Sequence, residues 1–114
     1  MTINEMVQET HETAKSKGWW DTPPEMGTLL ALVHSEVSEA LEWARRGDLN
    51  THHVTQGNAD NHTIKPEGFP IELADIVIRV ADICGRYDID LERALSEKMA
   101  YNRTRPFKHG GKAF

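Results

Sequence analysis

The stretch from Ile71 to Tyr87 is apolar around most of its circumference when wound as a helix. Ile71, Leu73, Ala74, Ile76, Val77, Ile78, Val80, Ala81, Ile83 and Cys84 cover it. Every charged residue from 72 to 86 falls on one narrow stripe: Glu72, Asp75, Arg79, Asp82 and Arg86. A helix of this kind is expected to be central and covered on several sides. The stripe is then either its wet face or the lining of a polar cleft. Asp75–Arg79 and Asp82–Arg86 stand i, i+4 and can pair along the helix. One small layer of helices offers too little cover for so apolar a cylinder, so at least a dimer is expected, with two chains sharing a core.

The remaining segments also read as helices, and strand alternation is nowhere obvious. Thr2-Ile3-Asn4-Glu5 has the form of a capping box that opens a first helix. Gly18 closes that helix, and Trp19-Trp20-Asp21-Thr22-Pro23-Pro24 is a connector. A second helix runs from Gly27 to Arg46 and ends at Gly47. Residues 48–68 form a long polar loop, after which Phe69-Pro70 leads into the third helix. Asp88 or Asp90 caps a fourth helix over about 90–102. A basic tail follows at about 103–114. The expectation is one all-α domain over 1–114, a four-helix bundle.

On the second helix, residues placed about 100° apart put Leu29, Leu30, Val33, Val37, Ala40 and Ala44 on one face. Glu36 falls inside this arc, between Trp43 and Leu29, and Glu39 lies at its edge. A carboxylate there is costly unless something pairs with it, either a salt bridge from another helix or a bound cation. Glu36-Val37-Ser38-Glu39 and Glu72-Leu73-Ala74-Asp75 each space two acids i, i+3, on one side of their helix. Face to face, the two pairs would bring four carboxylates to one point. A hard cation relieves such crowding, with Mg²⁺ the first candidate and Mn²⁺ the alternative. On the fourth helix, Leu91 and Leu95 mark an inner face shared by Lys98 and Asn102, with Arg105 continuing it. Either the lysine stem lies along apolar surface or its charge is aimed at a phosphate.

Other classes are disfavoured. No Glu-x-x-His accompanies the paired acids, as a di-iron bundle would need. His52, His53 and His62 lack a cysteine partner and a regular zinc spacing, so they read as part of a hydrated loop. A net charge of −5 argues against a duplex nucleic-acid partner. No apolar run is long enough to span a bilayer, and the single Cys84 reads as a reduced core thiol, so a cytoplasmic setting is expected.

Three segments in order carry a resemblance: His34-Ser35-Glu36-Val37-Ser38-Glu39-Ala40-Leu41-Glu42, Lys65-Pro66-Glu67-Gly68-Phe69-Pro70-Ile71-Glu72-Leu73-Ala74-Asp75, and Glu97-Lys98-Met99-Ala100-Tyr101-Asn102-Arg103-Thr104-Arg105-Pro106-Phe107-Lys108-His109-Gly110-Gly111-Lys112. Together they resemble the MazG-like branch of the all-α nucleotide pyrophosphohydrolases. The resemblance implies a four-helix fold working as a homodimer or homotetramer. It also implies Mg²⁺-dependent hydrolysis of a nucleoside triphosphate to the monophosphate and pyrophosphate. The family pattern is EExxE followed by ExxD. Glu36, Glu39, Glu72 and Asp75 match its metal-binding and catalytic acids, and Ser35 stands where the first Glu would be. Lys98 and Arg105 would hold phosphates, with Lys108 in the same basic stretch, and Tyr101 and Asn102 would contact sugar or base. Trp19 and Trp20 would stack on a base or staple helices together. Hydrolysis of a phosphoribosyl nucleotide and a non-catalytic nucleotide- or protein-binding module are the alternatives.

Overall fold

The computed structural model describes residues 1–50, 53–55 and 65–114. Four helices carry the architecture: α1 (Ile3–Ser16), α2 (Met26–Arg45), α3 (Phe69–Arg86) and α4 (Leu91–Thr104). The start and stop signals of the sequence act where expected. Thr2 accepts from the Glu5 backbone N–H while Glu5 reaches back to Thr2, completing the capping box. Gly18 and Gly47, at φ 86° and 78°, take the left-handed conformation just beyond the ends of α1 and α2. Pro70 lies in the first turn of α3, where its missing N–H costs nothing. Asp90, rather than Asp88, caps α4 by accepting from Arg93 N–H at 3.0 Å.

Three features differ from the sequence reading. First, the span 48–68, expected as a loop throughout, contains short strands β1 (His53–Thr55) and β2 (Lys65–Glu67). They pair antiparallel, with Val54 opposite Pro66. Of the three loop histidines, His53 opens β1, and His52 and His62 lie outside the described residues. Second, the tail makes a turn over Lys108–Gly111 that is left-handed, with φ of 49°, 51°, 95° and 90°. Third, α4 is less embedded than its apolar spacing implied. It docks on α1 through its first turn, where Glu92 accepts from the Ile3 N–H at 3.0 Å and Asn4 donates to Asp90 at 2.9 Å. Beyond Glu92 the helix is exposed, Leu95 and Met99 included. The expected inner face of Leu95, Lys98 and Asn102 is therefore uncovered, because no other helix among the described residues reaches it.

The third helix is central, as expected. It packs against α1 on one side and α2 on the other. Val7, Ala81 and Cys84 form the buried core between α1 and α3, with Met6, Val80 and Leu91 around them. Leu29 and Ala40 of α2 are buried as well, and the cover stops there. Leu30, Val37 and Leu41 form one exposed stripe on α2, and Leu73, Val77 and Ile78 stay about half exposed on α3. Leu30 and Val37, placed with the apolar arc of α2 from spacing, are thus outside the buried face. The radius of gyration is 17.0 Å, where a close-packed chain of this length would have about 13 Å.

Candidate metal centre

Packing of α2 on α3 brings Glu36, Glu72 and Asp75 together. One carboxylate oxygen from each lies within 4.8 Å of the others. Among the described residues, no other group of three or more His, Cys, Asp or Glu side chains converges in this way. Glu36 supplies the second-helix member because its register points it at α3; its side chain is only 15% exposed. Glu72 and Asp75 are one turn apart on the face of α3 opposite it. Glu39 is exposed at the rim, outside the trio, and its charge still acts on Glu72. Three of the four expected acids therefore meet, and the fourth borders them.

The electrostatics are those of an unbalanced site. Burial lifts the Glu72 carboxyl above the usual range, and the charges of Asp75, Glu39 and Glu36 lift it further. A hydrogen bond from the Trp43 indole works against this. Asp75 is raised in the same way, first by burial and then by Glu36, with Arg79 and Lys65 opposing. Arg79 donates from Nε to Glu36 at 2.8 Å, an ion pair between α3 and α2 rather than along α3. Among the described residues these four acids face two cations, Arg79 and Lys65, the latter shared with Glu67 at 3.6 Å, which leaves at least two negative charges uncompensated when all are ionised.

This donor set fits a hard divalent cation. It is all oxygen, without sulfur or imidazole, which suits Mg²⁺ or Mn²⁺. Mg²⁺–oxygen bonds of about 2.1 Å place octahedral ligands no more than about 4.2 Å apart, so small side-chain rotations would close the trio onto an ion. Trp43 and Arg79 hold the carboxylates from outside, as supporting residues of metal sites do. Three members of this arrangement, Trp43, Arg79 and Lys65, were not singled out as site residues from sequence. Trp43 carried a signal, because it lies seven residues from Glu36 on the same arc. Lys65 arrives through β2, which the sequence did not predict.

The other expected site residues stand elsewhere. Ser35 is exposed and its hydroxyl donates to the Leu32 carbonyl of its own helix at 2.6 Å, so it supplies no substitute for an acid. Trp20 is buried; its indole N–H donates to Asp82 at 2.9 Å and its ring meets His11 edge-on. It acts as the staple, which takes it out of the base-stacking role. Trp19 is exposed. Lys98, Tyr101, Asn102, Arg105 and Lys108 are at the surface on α4 and the tail, with Lys98 and Arg105 both over the Tyr101 ring at 4.9 and 5.6 Å. The fold does not bring them to the carboxylates within one chain, because α4 packs on α1, not on α2. Among the described residues no helix is long and apolar enough to cross a membrane. No family model, curated protein or solved structure matches the chain.

Proposed function

We propose that the protein is a divalent-metal-dependent nucleotide pyrophosphohydrolase of the MazG-like kind, converting a nucleoside triphosphate to its monophosphate and pyrophosphate. One observation carries this reading: three half-buried carboxylates from two helices crowd within 4.8 Å and lack enough positive charge to balance them. A Mg²⁺ ion bound there would neutralise charge that builds on phosphate oxygens as the phosphorus is attacked. Glu36, Glu72 and Asp75 would hold the ion. Glu39, at the exposed rim, accepts the proton of the attacking water. The water oxygen bonds to the α-phosphorus, the bond to the bridging oxygen breaks, and pyrophosphate leaves.

The uncovered apolar surface supports an oligomer. Leu30, Val37 and Leu41 on α2 and Leu73, Val77 and Ile78 on α3 are the surface that a second copy would bury. In such an assembly, α4 of one copy supplies Lys98, Tyr101, Asn102 and Arg105 to the carboxylates of its partner. The test is release of pyrophosphate from a panel of ribo- and deoxynucleoside triphosphates with Mg²⁺. Wild type should release it, and Glu72→Gln and Asp75→Asn should not, while both remain folded. Equal release by wild type and Glu72→Gln would contradict the assignment.

A further inference from the structure

Arg79 borders the carboxylates but is only partly used by them. Its Nε donates to Glu36 at 2.8 Å, and its terminal nitrogens meet no acceptor among the described residues. The guanidinium offers five N–H donors and commonly grips a carboxylate through two parallel bonds. Here it spends one. The side chain is 40% exposed where Glu36 is 15% exposed, so the outer end of the group reaches water while the inner end is anchored.

That anchor fixes where the unused donors can act. An oxygen sharing a Mg²⁺ or Mn²⁺ ion with Glu36 lies within about 4 Å of the Glu36 oxygen, twice a metal–oxygen bond. Arg79 already touches Glu36, so an oxygen held on that side of the ion is within reach of its terminal N–H groups. Charge points the same way. Lys98 and Arg105 lie on α4, away from the acids of their own chain. Lys65, the other local cation, is engaged with Glu67 at 3.6 Å. Among the described residues of the same chain, a polyphosphate brought to this seam meets Arg79 as the cation with donors to spare.

We infer that Arg79 is a phosphate-binding residue of this site, its Nε holding Glu36 while its terminal N–H groups grip a phosphate oxygen of a nucleoside polyphosphate. The inference rests on the pyrophosphohydrolase reading and adds a residue and a role to it. A lysine cannot serve both partners, because it presents a single point charge where the fork presents separate edges.

Calorimetry on the full chain tests it, with Mn²⁺ alone and then, at saturating Mn²⁺, with the α,β-imido analogues of the common deoxynucleoside triphosphates. Wild type, Arg79→Gln and Arg79→Lys are compared. Arg79→Gln should bind the preferred analogue about 10–100-fold more weakly, the loss of one charge-assisted contact. Its affinity for Mn²⁺ alone should be unchanged or higher, because a cation beside the ion is removed. Arg79→Lys keeps the charge and should recover only part of the analogue affinity; it carries the test if the glutamine variant folds poorly. Unchanged analogue affinity in both variants overturns the role of Arg79 alone. Loss of Mn²⁺ affinity in step with analogue affinity also overturns it, reducing Arg79 to a holder of Glu36. If wild type binds neither Mn²⁺ nor any analogue, the pyrophosphohydrolase reading falls and the inference with it.

Discussion

Asp75 and Asp82 stand two turns apart on the same charged stripe of α3, and their surroundings are opposite. Asp82 faces α1 and the connector that follows it. It accepts from His11 Nδ1 at 2.7 Å and from Trp20 Nε1 at 2.9 Å, while Arg86 lies over the Trp20 ring at 5.1 Å. Among the described residues, both hydrogen-bond partners of this carboxylate are donors. Asp75 faces α2, where Glu36 crowds it alongside Glu72 of its own helix, and burial with the Glu36 charge pushes its carboxyl up. One acid is a satisfied interhelical tie, and the other belongs to a cluster short of positive charge. An acid on an inward stripe is therefore not a mark of a site; the balance of donors to acids around it is.

Breaking the satisfied seam should have the largest effect on stability. Asp82→Ala leaves the Trp20 and His11 N–H groups without their acceptor in a buried setting. It should cost about 2–4 kcal/mol, at or just below the range for breaking a buried ion pair. Urea denaturation measures this; a cost under about 0.5 kcal/mol would place the tie among ordinary surface contacts. The same seam is tight at Gly85, where an added Cβ would lie 2.4 Å from the His11 Cβ. Gly85→Ala should destabilise by about 1–3 kcal/mol through forced displacement of α1. A neutral or stabilising alanine would mean that the two helices pack less closely than described.

Changes in the crowded seam should have smaller effects of the opposite sign. Glu72→Gln removes one charge from a repelling group, so without divalent metal it should leave stability unchanged or raise it by up to about 1 kcal/mol. A carboxyl whose folded pKa is raised binds its proton more tightly folded than unfolded. Its contribution is fully present below the unfolded values of 3.8 for Asp75 and 4.5 for Glu72. It is lost as pH rises through the raised folded values. Metal-free wild type should therefore lose stability from about pH 4 upward more steeply than Glu72→Gln. Parallel profiles for the two proteins would show that Glu72 is not strained by its neighbours.

Much of this contrast was legible in the sequence. Helix ends followed from Thr2, Gly18, Gly47, Pro70 and Asp90, whose effects act within one turn. Glu36 stood out because a carboxylate had been placed on an apolar arc. The partners of Asp82 were not legible, since His11 and Trp20 are 71 and 62 residues away and no local pattern encodes the pairing. The exposure of Leu95 and of Val37 was missed for a related reason. Helical spacing shows which residues share a face; whether a neighbour covers that face depends on the packing of the whole molecule. Ser35 shows the reverse case, in which departure from the pattern that the sequence resembles was visible at once and its spent hydroxyl only in the structure.

The central claim is that the α2–α3 seam lacks positive charge which a divalent cation supplies. The melting temperature at pH 7, with and without Mg²⁺ or Mn²⁺, tests it most directly, because an ion bound only by the folded state stabilises by mass action. At a tenfold excess over the dissociation constant, wild type should melt about 5 °C higher, and Glu72→Gln should not respond. An equal rise in both proteins, or none in wild type at millimolar metal, would contradict the account.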